Sequence, residues 1–177
     1  MWTWWTAALV HLSGWHLIAN LLAATAVAAW GWVAGCGTRA TLAWLMAWPL
    51  AQALLITDPG SLWRYAGLSA TLHAGVAIGC WHLIVHRRGA ARAVGAAVLA
   101  AVGIKLMLEM PALRAWWQGV AVAELQPSPL AGAPGHILAG HAHGCGVAAG
   151  LIMALLLDGI MALRRRCSAL PAPTPSP

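Results

Sequence analysis

Residues 140–157 read GHAHGCGVAAGLIMALLL, an apolar run that contains a pair of histidines and several glycines. A helix rises about 1.5 Å per residue, so this run and its apolar neighbours can cross the roughly 30 Å of a bilayer's hydrocarbon core. His143, Gly146 and Gly150 fall on one stripe of that helix, because residues three and four apart are neighbours. A ring nitrogen at this depth needs a polar partner, and glycines allow a second helix to approach closely. The stretch therefore predicts a transmembrane helix that holds His143, a candidate functional residue, against another helix.

The composition is typical of a protein that crosses the membrane several times. Of the 177 residues, 61% are hydrophobic and 8% are charged, and the mean hydropathy is +0.75. Soluble domains usually contain about a quarter of charged residues, so a soluble class is excluded. The net charge of +6 does not indicate nucleic acid, because that needs a continuous basic face, and here the basic residues lie in short clusters between apolar runs. The expected partner is the lipid bilayer, and no nucleic acid is expected.

Apolar runs separated by turn signals, such as residues 58–61, predict an all-α fold, a polytopic membrane helix bundle. Residues 111–134 contain several prolines and two adjacent tryptophans, which predict a loop with an interfacial stretch. Residues 1–167 form the predicted transmembrane core, and residues 168–177 a disordered, proline-rich cytoplasmic tail. The five expected spans are approximately residues 11 or 13 to 35, 40–57, 65–85, 93–110 and a last one from residue 140 that ends in the three arginines at 164–166.

The basic residues set the expected orientation of these spans. Arg39, the arginines at 87–92 and those at 164–166 fall on one side of the predicted bundle. Basic loops are typical of the cytoplasmic side, so we expect the C-terminus to be cytoplasmic. Five spans then place the N-terminus outside, and we expect that a first transmembrane helix is missing from this chain.

Five polar residues from three spans are expected at a similar depth below the outer face. A serine hydroxyl is a poor nucleophile until a base accepts its proton, so Ser69 and His143 predict a catalytic pair. His73, one turn after Ser69, could support the His143 ring by stacking. His16 and Asn20, together with the backbone N–H of Ser69, are the candidate donors to a developing oxyanion.

No carboxylate is expected at the depth of this pair. Asp58, Glu109, Glu124 and Asp158 all fall near span ends or in loops. Lys105 precedes Glu109 by four residues, so these two side chains can pair with each other. The sequence therefore predicts a Ser–His dyad rather than a triad.

Glycines are expected to bring the third and fifth spans together. Gly75 and Gly79 repeat in the third span the four-residue spacing of Gly146 and Gly150 in the fifth. Small residues at this spacing allow close helix contact in membranes. We therefore expect the glycines of these two spans to bring Ser69 close to His143.

Three segments, in order along the chain, resemble the three signatures of the rhomboid intramembrane serine proteases. Residues 11–20 (HLSGWHLIAN) resemble the His-x4-His-x3-Asn helix, residues 67–70 (GLSA) the Gly-x-Ser-Gly turn, and residues 142–150 (AHGCGVAAG) the Ala-His-x2-Gly-x3-Gly helix. Ala70 stands in place of the family's glycine, and His73 where many members have tyrosine. The family core has six helices, and we expect that the one preceding the first signature is missing from this chain.

The resemblance implies a role for each matching position. Ser69 would be the nucleophile of an endopeptidase and His143 its general base. His16 and Asn20 would donate to the oxyanion. The implied supporting residues are His73, Gly67, Gly146 and Gly150.

The small size of the chain and the Leu72-His73 pair after the serine resemble the bacterial rhombosortase branch in particular. That branch is associated with cleaving proteins that carry a C-terminal Gly-Gly sorting helix. The implied partners are therefore transmembrane substrates with such a helix, and the implied location is the bacterial inner membrane.

Two other functions remain open. A rhomboid-like pseudoenzyme would bind transmembrane helices without cutting them. A metal or haem membrane protein would use His16, His136, His141 and His143, since imidazoles bind transition metals readily. We nevertheless expect no metal and no other cofactor, and the scattered cysteines are interpreted as small packing residues, because they lack metal-ligand spacing.

Overall fold

The computed structural model describes residues 3–11, 13–55, 67–118 and 135–168, and this part of the chain is helical, without a strand. The predicted turn at residues 58–61 and residues 169–177 of the predicted tail lie outside the described residues, whereas Ser168, the first residue of that tail, still belongs to the last helix. The helices are α1 (Thr3–Thr6), a 3-10 turn (Ala7–Leu9), α2 (Gly14–Ala34), α3 (Thr38–Leu55), α4 (Ser69–His86), α5 (Ala90–Glu109), α6 (Pro111–Gln118) and α7 (Gly135–Ser168).

Three helical segments are long and apolar enough to cross a membrane: Gly14–Ala34, Ala90–Glu109 and Gly140–Ser168. The predictions of an all-helical fold and of membrane-spanning character are thus confirmed. The count of five spans stays a prediction, because α3 and α4, with 18 residues each, are not among these three segments.

The ends of the long helices follow from local chemistry. The Ser13 hydroxyl accepts a hydrogen bond from the His16 amide at 3.1 Å and so caps the start of α2. Gly35 ends α2 in the left-handed conformation, which glycine adopts without steric cost. These capping residues lie within the predicted boundaries of the first span.

The core is built from small residues of α3, α4 and α7. On α3, for example, Ala43, Ala47 and Ala51 repeat every four residues and are almost fully buried. Such side chains let the three helices pack closely. The remaining buried members of this core are Leu55, Ala70, Ala74, Ile78, Ala142, Cys145, Ala149 and Ala154.

Helices α4 and α7 run parallel with their backbones in contact. A Cβ on Gly146 would overlap the carbonyl oxygen of Ala70, and a Cβ on Gly150 would lie 2.5 Å from that of Ala74. The close approach predicted at Gly146 and Gly150 is therefore confirmed.

The expected role of the α4 glycines is wrong. Gly75 and Gly79 do not face α7; Gly75 lies against Val27 and Trp44, and Gly79 against the Trp30 indole. They make room for bulky side chains of α2 and α3, whereas Ala70 and Ala74 provide the α4 side of the contact with α7.

Helices α2 and α5 flank this core and present large apolar side chains outward. Exposed apolar surface of this extent is typical of lipid contact. Exposed residues on these helices include Leu17, Ile18, Leu21, Leu22, Trp32, Val33, Val94, Ile104, Met107 and Leu108.

The region predicted as a loop, residues 111–134, begins with a helix, and its residues after Gln118 lie outside the described part of the chain. Pro111 begins the two-turn α6, a position that suits proline because the first amide of a helix has no partner. Trp116 and Trp117 are exposed on α6. Helix α7 begins at Gly135, five residues before the predicted span.

At the end of the bundle opposite to Ser69, one carboxylate joins the three core helices. Asp158 of α7 accepts hydrogen bonds from Trp81 Nε1 and pairs with His86 Nε2 on α4, each at 2.9 Å. Arg39 of α3 pairs with the same carboxylate at 3.4 Å. This cluster therefore connects the three core helices far from the candidate site.

Candidate active site

Ser69 is the first residue of α4, and its side chain is half-buried. Leu68 precedes it without a capping side chain. The first amides of a helix have no intrahelical acceptor, and the N-terminal end of the helix dipole is positive. Ser69 therefore stands at the end of α4 where backbone donors favour negative charge.

His143 of α7 lies against the first turn of α4. Its ring stacks on that of His73, with centroids 4.0 Å apart and planes 20° from parallel. His73 Nδ1 lies 2.7 Å from the Ser69 carbonyl oxygen; because a carbonyl only accepts, Nδ1 carries the proton and donates it. The predicted stacking of His73 on His143 is thus present, and it is tied to the residue that begins α4.

The Nδ1 edge of the His143 ring contacts an ion pair from α5. Glu109 Oε2 lies 2.8 Å from His143 Nδ1, and Lys105 Nζ lies 3.0 Å from the same nitrogen. The predicted pair of Lys105 and Glu109 is confirmed, with 2.6 Å between Nζ and Oε1. The His143 side chain is only 13% exposed, whereas that of Lys105 is 44% exposed, so the ion pair lies between the buried ring and the surface.

The prediction that no carboxylate reaches the depth of His143 is wrong. The end of α5 leans on α7 at Gly140, where a Cβ would lie 3.0 Å from Glu109 Cβ. This approach places Glu109 beside Gly140, one helical turn before His143 on α7. One signal was available in the sequence: Glu109 ends the fourth predicted span, and the fifth predicted span starts from that same side of the bundle.

His16 and Asn20 of α2 lie against Gly67, two residues before Ser69. A Cβ on Gly67 would lie 2.7 Å from His16 Cε1 and 3.2 Å from Asn20 Nδ2. Gly67 also has a φ of +107°, which L side chains rarely adopt. Glycine at this position therefore allows both side chains of α2 to come within two residues of Ser69.

The Asn20 side chain is almost fully buried, and its Nδ2 donates to the His16 carbonyl at 2.9 Å. A carboxamide has two N–H groups, so one further donor remains. The structure thus brings His16, Asn20, Ser69, His73 and His143 to one end of the bundle.

Within the described residues, the Ser69 carbonyl and the His143 ring both contact His73, and no hydrogen bond joins the Ser69 side chain to His143. Hydrogen bonds between catalytic groups are often long before substrate binds and tighten in the complex. The catalytic pair of Ser69 and His143 therefore stays a prediction.

No group of three or more potential metal ligands comes together in the described part of the chain. His141 lies with its Nε2 3.6 Å from Cys145 Sγ, away from the stacked pair. The side chain of His136 lies outside the described residues. The described neighbours of the His143 ring are thus the Glu109 carboxylate, the Lys105 amine and the His73 imidazole.

Comparison with known proteins found no matching family model, no matching curated protein and no matching solved structure.

Proposed function

We propose that this chain is an intramembrane serine endopeptidase of the rhomboid type. The observation that carries the proposal is the placement of His143, which stacks on His73 one turn from Ser69 while polar groups of α5 hold its Nδ1. A histidine held in this way leaves Nε2 to accept a proton, which is the property a serine nucleophile requires of its base.

In the proposed reaction, Ser69 Oγ attacks a substrate carbonyl carbon while its proton passes to His143 Nε2. The tetrahedral intermediate then collapses, the C–N bond breaks, and His143 returns the proton to the leaving amine. Water attacks the resulting ester and gives a proton to His143, which passes it back to Ser69 Oγ as the acid product leaves. Atoms and charges balance, and no cofactor is needed.

The oxyanion of that intermediate would be bound by donors from two helices. His16 and the second N–H of Asn20 approach from α2, as their contact with Gly67 suggests. The backbone N–H of Ser69 approaches from the start of α4. Removing one such donor costs about a hundredfold or more in rate in serine proteases.

The membrane arrangement that suits this chemistry is a bundle of five spans. The basic residues Arg39, Arg87 and the arginines at 164–166 belong to the end of the bundle opposite to Ser69. The positive-inside rule then favours a cytoplasmic C-terminus in a bacterial inner membrane, with Ser69 near the outer face. Water would enter the site from that face.

The proposed substrates are membrane proteins with a C-terminal Gly-Gly sorting helix. This part of the proposal rests on the resemblance carried by Leu72-His73 and by the small size of the chain.

Co-expression with Gly-Gly-tailed proteins tests this function. The parent chain should shorten such a protein, and Ser69→Ala should leave it at full length. Ser168→Ala is the matched control, because Ser168 lies at the far end of α7 and its hydroxyl bonds to the Arg164 carbonyl. Processing by Ser69→Ala at the parent rate would rule out the proposed nucleophile.

The absence of a Ser69–His143 hydrogen bond among the described residues favours a second candidate, a pseudoenzyme that binds transmembrane helices. A fluorophosphonate probe separates the two functions, because it forms a covalent Ser Oγ–P bond only with an activated serine. A protease becomes labelled at Ser69, and a pseudoenzyme does not.

Gly67→Ala is expected to lower the rate of probe labelling by about tenfold to a hundredfold, because the new Cβ would displace His16 and Asn20. Gly89→Ala is the matched control: Gly89 also has a positive φ, of 60°, but nothing lies within 4 Å of its Cβ position. Both variants place a side chain at a positive φ and so share the backbone strain. Equal labelling rates in the two would therefore contradict a role of the contact between Gly67 and the α2 side chains.

A further inference from the structure

Lys105 and Glu109 of α5 require opposite protonation states of His143 Nδ1. A carboxylate only accepts hydrogen bonds, so Glu109 requires a proton on Nδ1. A lysine ammonium only donates, so Lys105 requires a lone pair on Nδ1. Both groups are within 3.0 Å of this nitrogen, and the tautomer of His143 therefore depends on which of them prevails.

The geometry favours Glu109. Its Oε2 is the nearer group to Nδ1, at 2.8 Å, while its Oε1 holds Lys105 Nζ at 2.6 Å. Lys105 is thus closer to the carboxylate than to the ring, whose Nδ1 is 3.0 Å from Nζ. With the proton on Nδ1, the lone pair lies on Nε2, the nitrogen that must receive the proton of Ser69.

We propose that Glu109 is a positioning residue of the active site, which accepts Nδ1–H of His143 and so fixes the tautomer in which Nε2 is the base. This inference rests on the proposed function and replaces the expected dyad with a Ser69–His143–Glu109 triad. Lys105 orients the carboxylate. Gly140 makes the arrangement possible, because a side chain there would push the end of α5 away from α7.

Glu109→Gln is the sharpest test, because it keeps the shape and removes only the charge and the fixed polarity. In this variant Lys105 would donate to the amide oxygen and turn the amide N–H₂ toward His143. That group donates to Nδ1 and moves the proton to Nε2, where it blocks catalysis. We expect labelling by a saturating fluorophosphonate probe to slow by about a hundredfold or more, with little change in the probe's binding constant.

Two further variants separate this role from a structural one. Glu109→Asp keeps the carboxylate and should recover part of the rate. Glu109→Gln with Lys105→Met should label faster than Glu109→Gln alone, because without Lys105 the amide is free to present its oxygen to Nδ1–H. If the Glu109 side chain only held α5 against α7, the additional loss of Lys105 would not restore the labelling rate.

Asp158→Asn is the matched control. Asp158 also contacts a histidine, His86, but at the opposite end of the bundle. It should lower the thermal stability and leave the labelling rate near that of the parent. A second readout is independent of activity: ¹⁵N spectra of histidine-labelled protein in nanodiscs should show His143 protonated at Nδ1 in the parent and at Nε2 in Glu109→Gln.

Each outcome decides one of the two proposals. If Glu109→Gln labels within about threefold of Asp158→Asn, or if its His143 tautomer is unchanged, the positioning role is wrong while the protease assignment stands. If the parent itself is not labelled at Ser69, the proposed function fails, and the ¹⁵N spectra still test whether Glu109 sets the tautomer.

Discussion

His143→Ala is expected to reduce the rate of substrate cleavage by about 10⁴-fold or more, the scale seen when the base of a serine protease is removed. Ser69 then has no imidazole to accept its proton, and the ring that stacks on His73 is lost. The measurement is the rate of processing of a Gly-Gly-tailed protein, or of fluorophosphonate labelling, with purified protein.

His86→Ala is the control for this variant, because His86 pairs with Asp158 at 2.9 Å much as His143 pairs with Glu109 at 2.8 Å. It removes an equivalent contact without touching the site. The double variant Ser69→Ala/His143→Ala should be no slower than either single variant, since residues that act as a unit are not additive. A multiplicative loss in the double variant would mean that the two residues act separately.

Gly146→Leu is expected to abolish activity and to lower the free energy of unfolding by about 3 kcal/mol or more, at or above the upper range for overpacked cores. The new side chain would meet the carbonyl of Ala70, which is backbone and cannot rotate away. Separation of α4 from α7 would remove the His73–His143 stack as well. Thermal melting in detergent and the labelling rate measure the two effects.

Gly144→Leu provides the comparison on the same helix. Nothing lies within 4 Å of a Cβ at Gly144, so this variant adds the same side chain without the clash at Cβ. It should melt close to the parent and become labelled at a similar rate. If Gly146→Leu behaved like Gly144→Leu, the backbone contact of α4 with α7 would not be what aligns the site.

The positions of the helices could be predicted because their ends are encoded locally. The Ser13 cap and the left-handed Gly35 fix the ends of α2. The spacing of Gly146 and Gly150 is also local, and it correctly predicted a close helix contact. In each of these cases, the neighbours along the chain contain the necessary information.

The Glu109–His143 contact could not be predicted in the same way. The two residues are 34 positions apart, and their meeting depends on how α5 tilts toward α7 at Gly140. Periodicity gives the face of each helix but not the rotation of one helix relative to another. The same reason explains Gly75 and Gly79, whose spacing was recognised but whose neighbours proved to be Val27, Trp44 and Trp30.

The direct backbone contact of α4 with α7 joins the two helices that carry Ser69 and His143, because only glycines and alanines face each other there. Helix α5 is fixed to α4 near its start, where Gly95 packs against Leu83 and the Cys80 carbonyl. Its end meets α7 at Gly140 and through the ion pair. In the proposed triad, a bend of α5 between these two places would uncouple its carboxylate from the base and so lower the reactivity of the serine, while the contact of α4 with α7 stays intact.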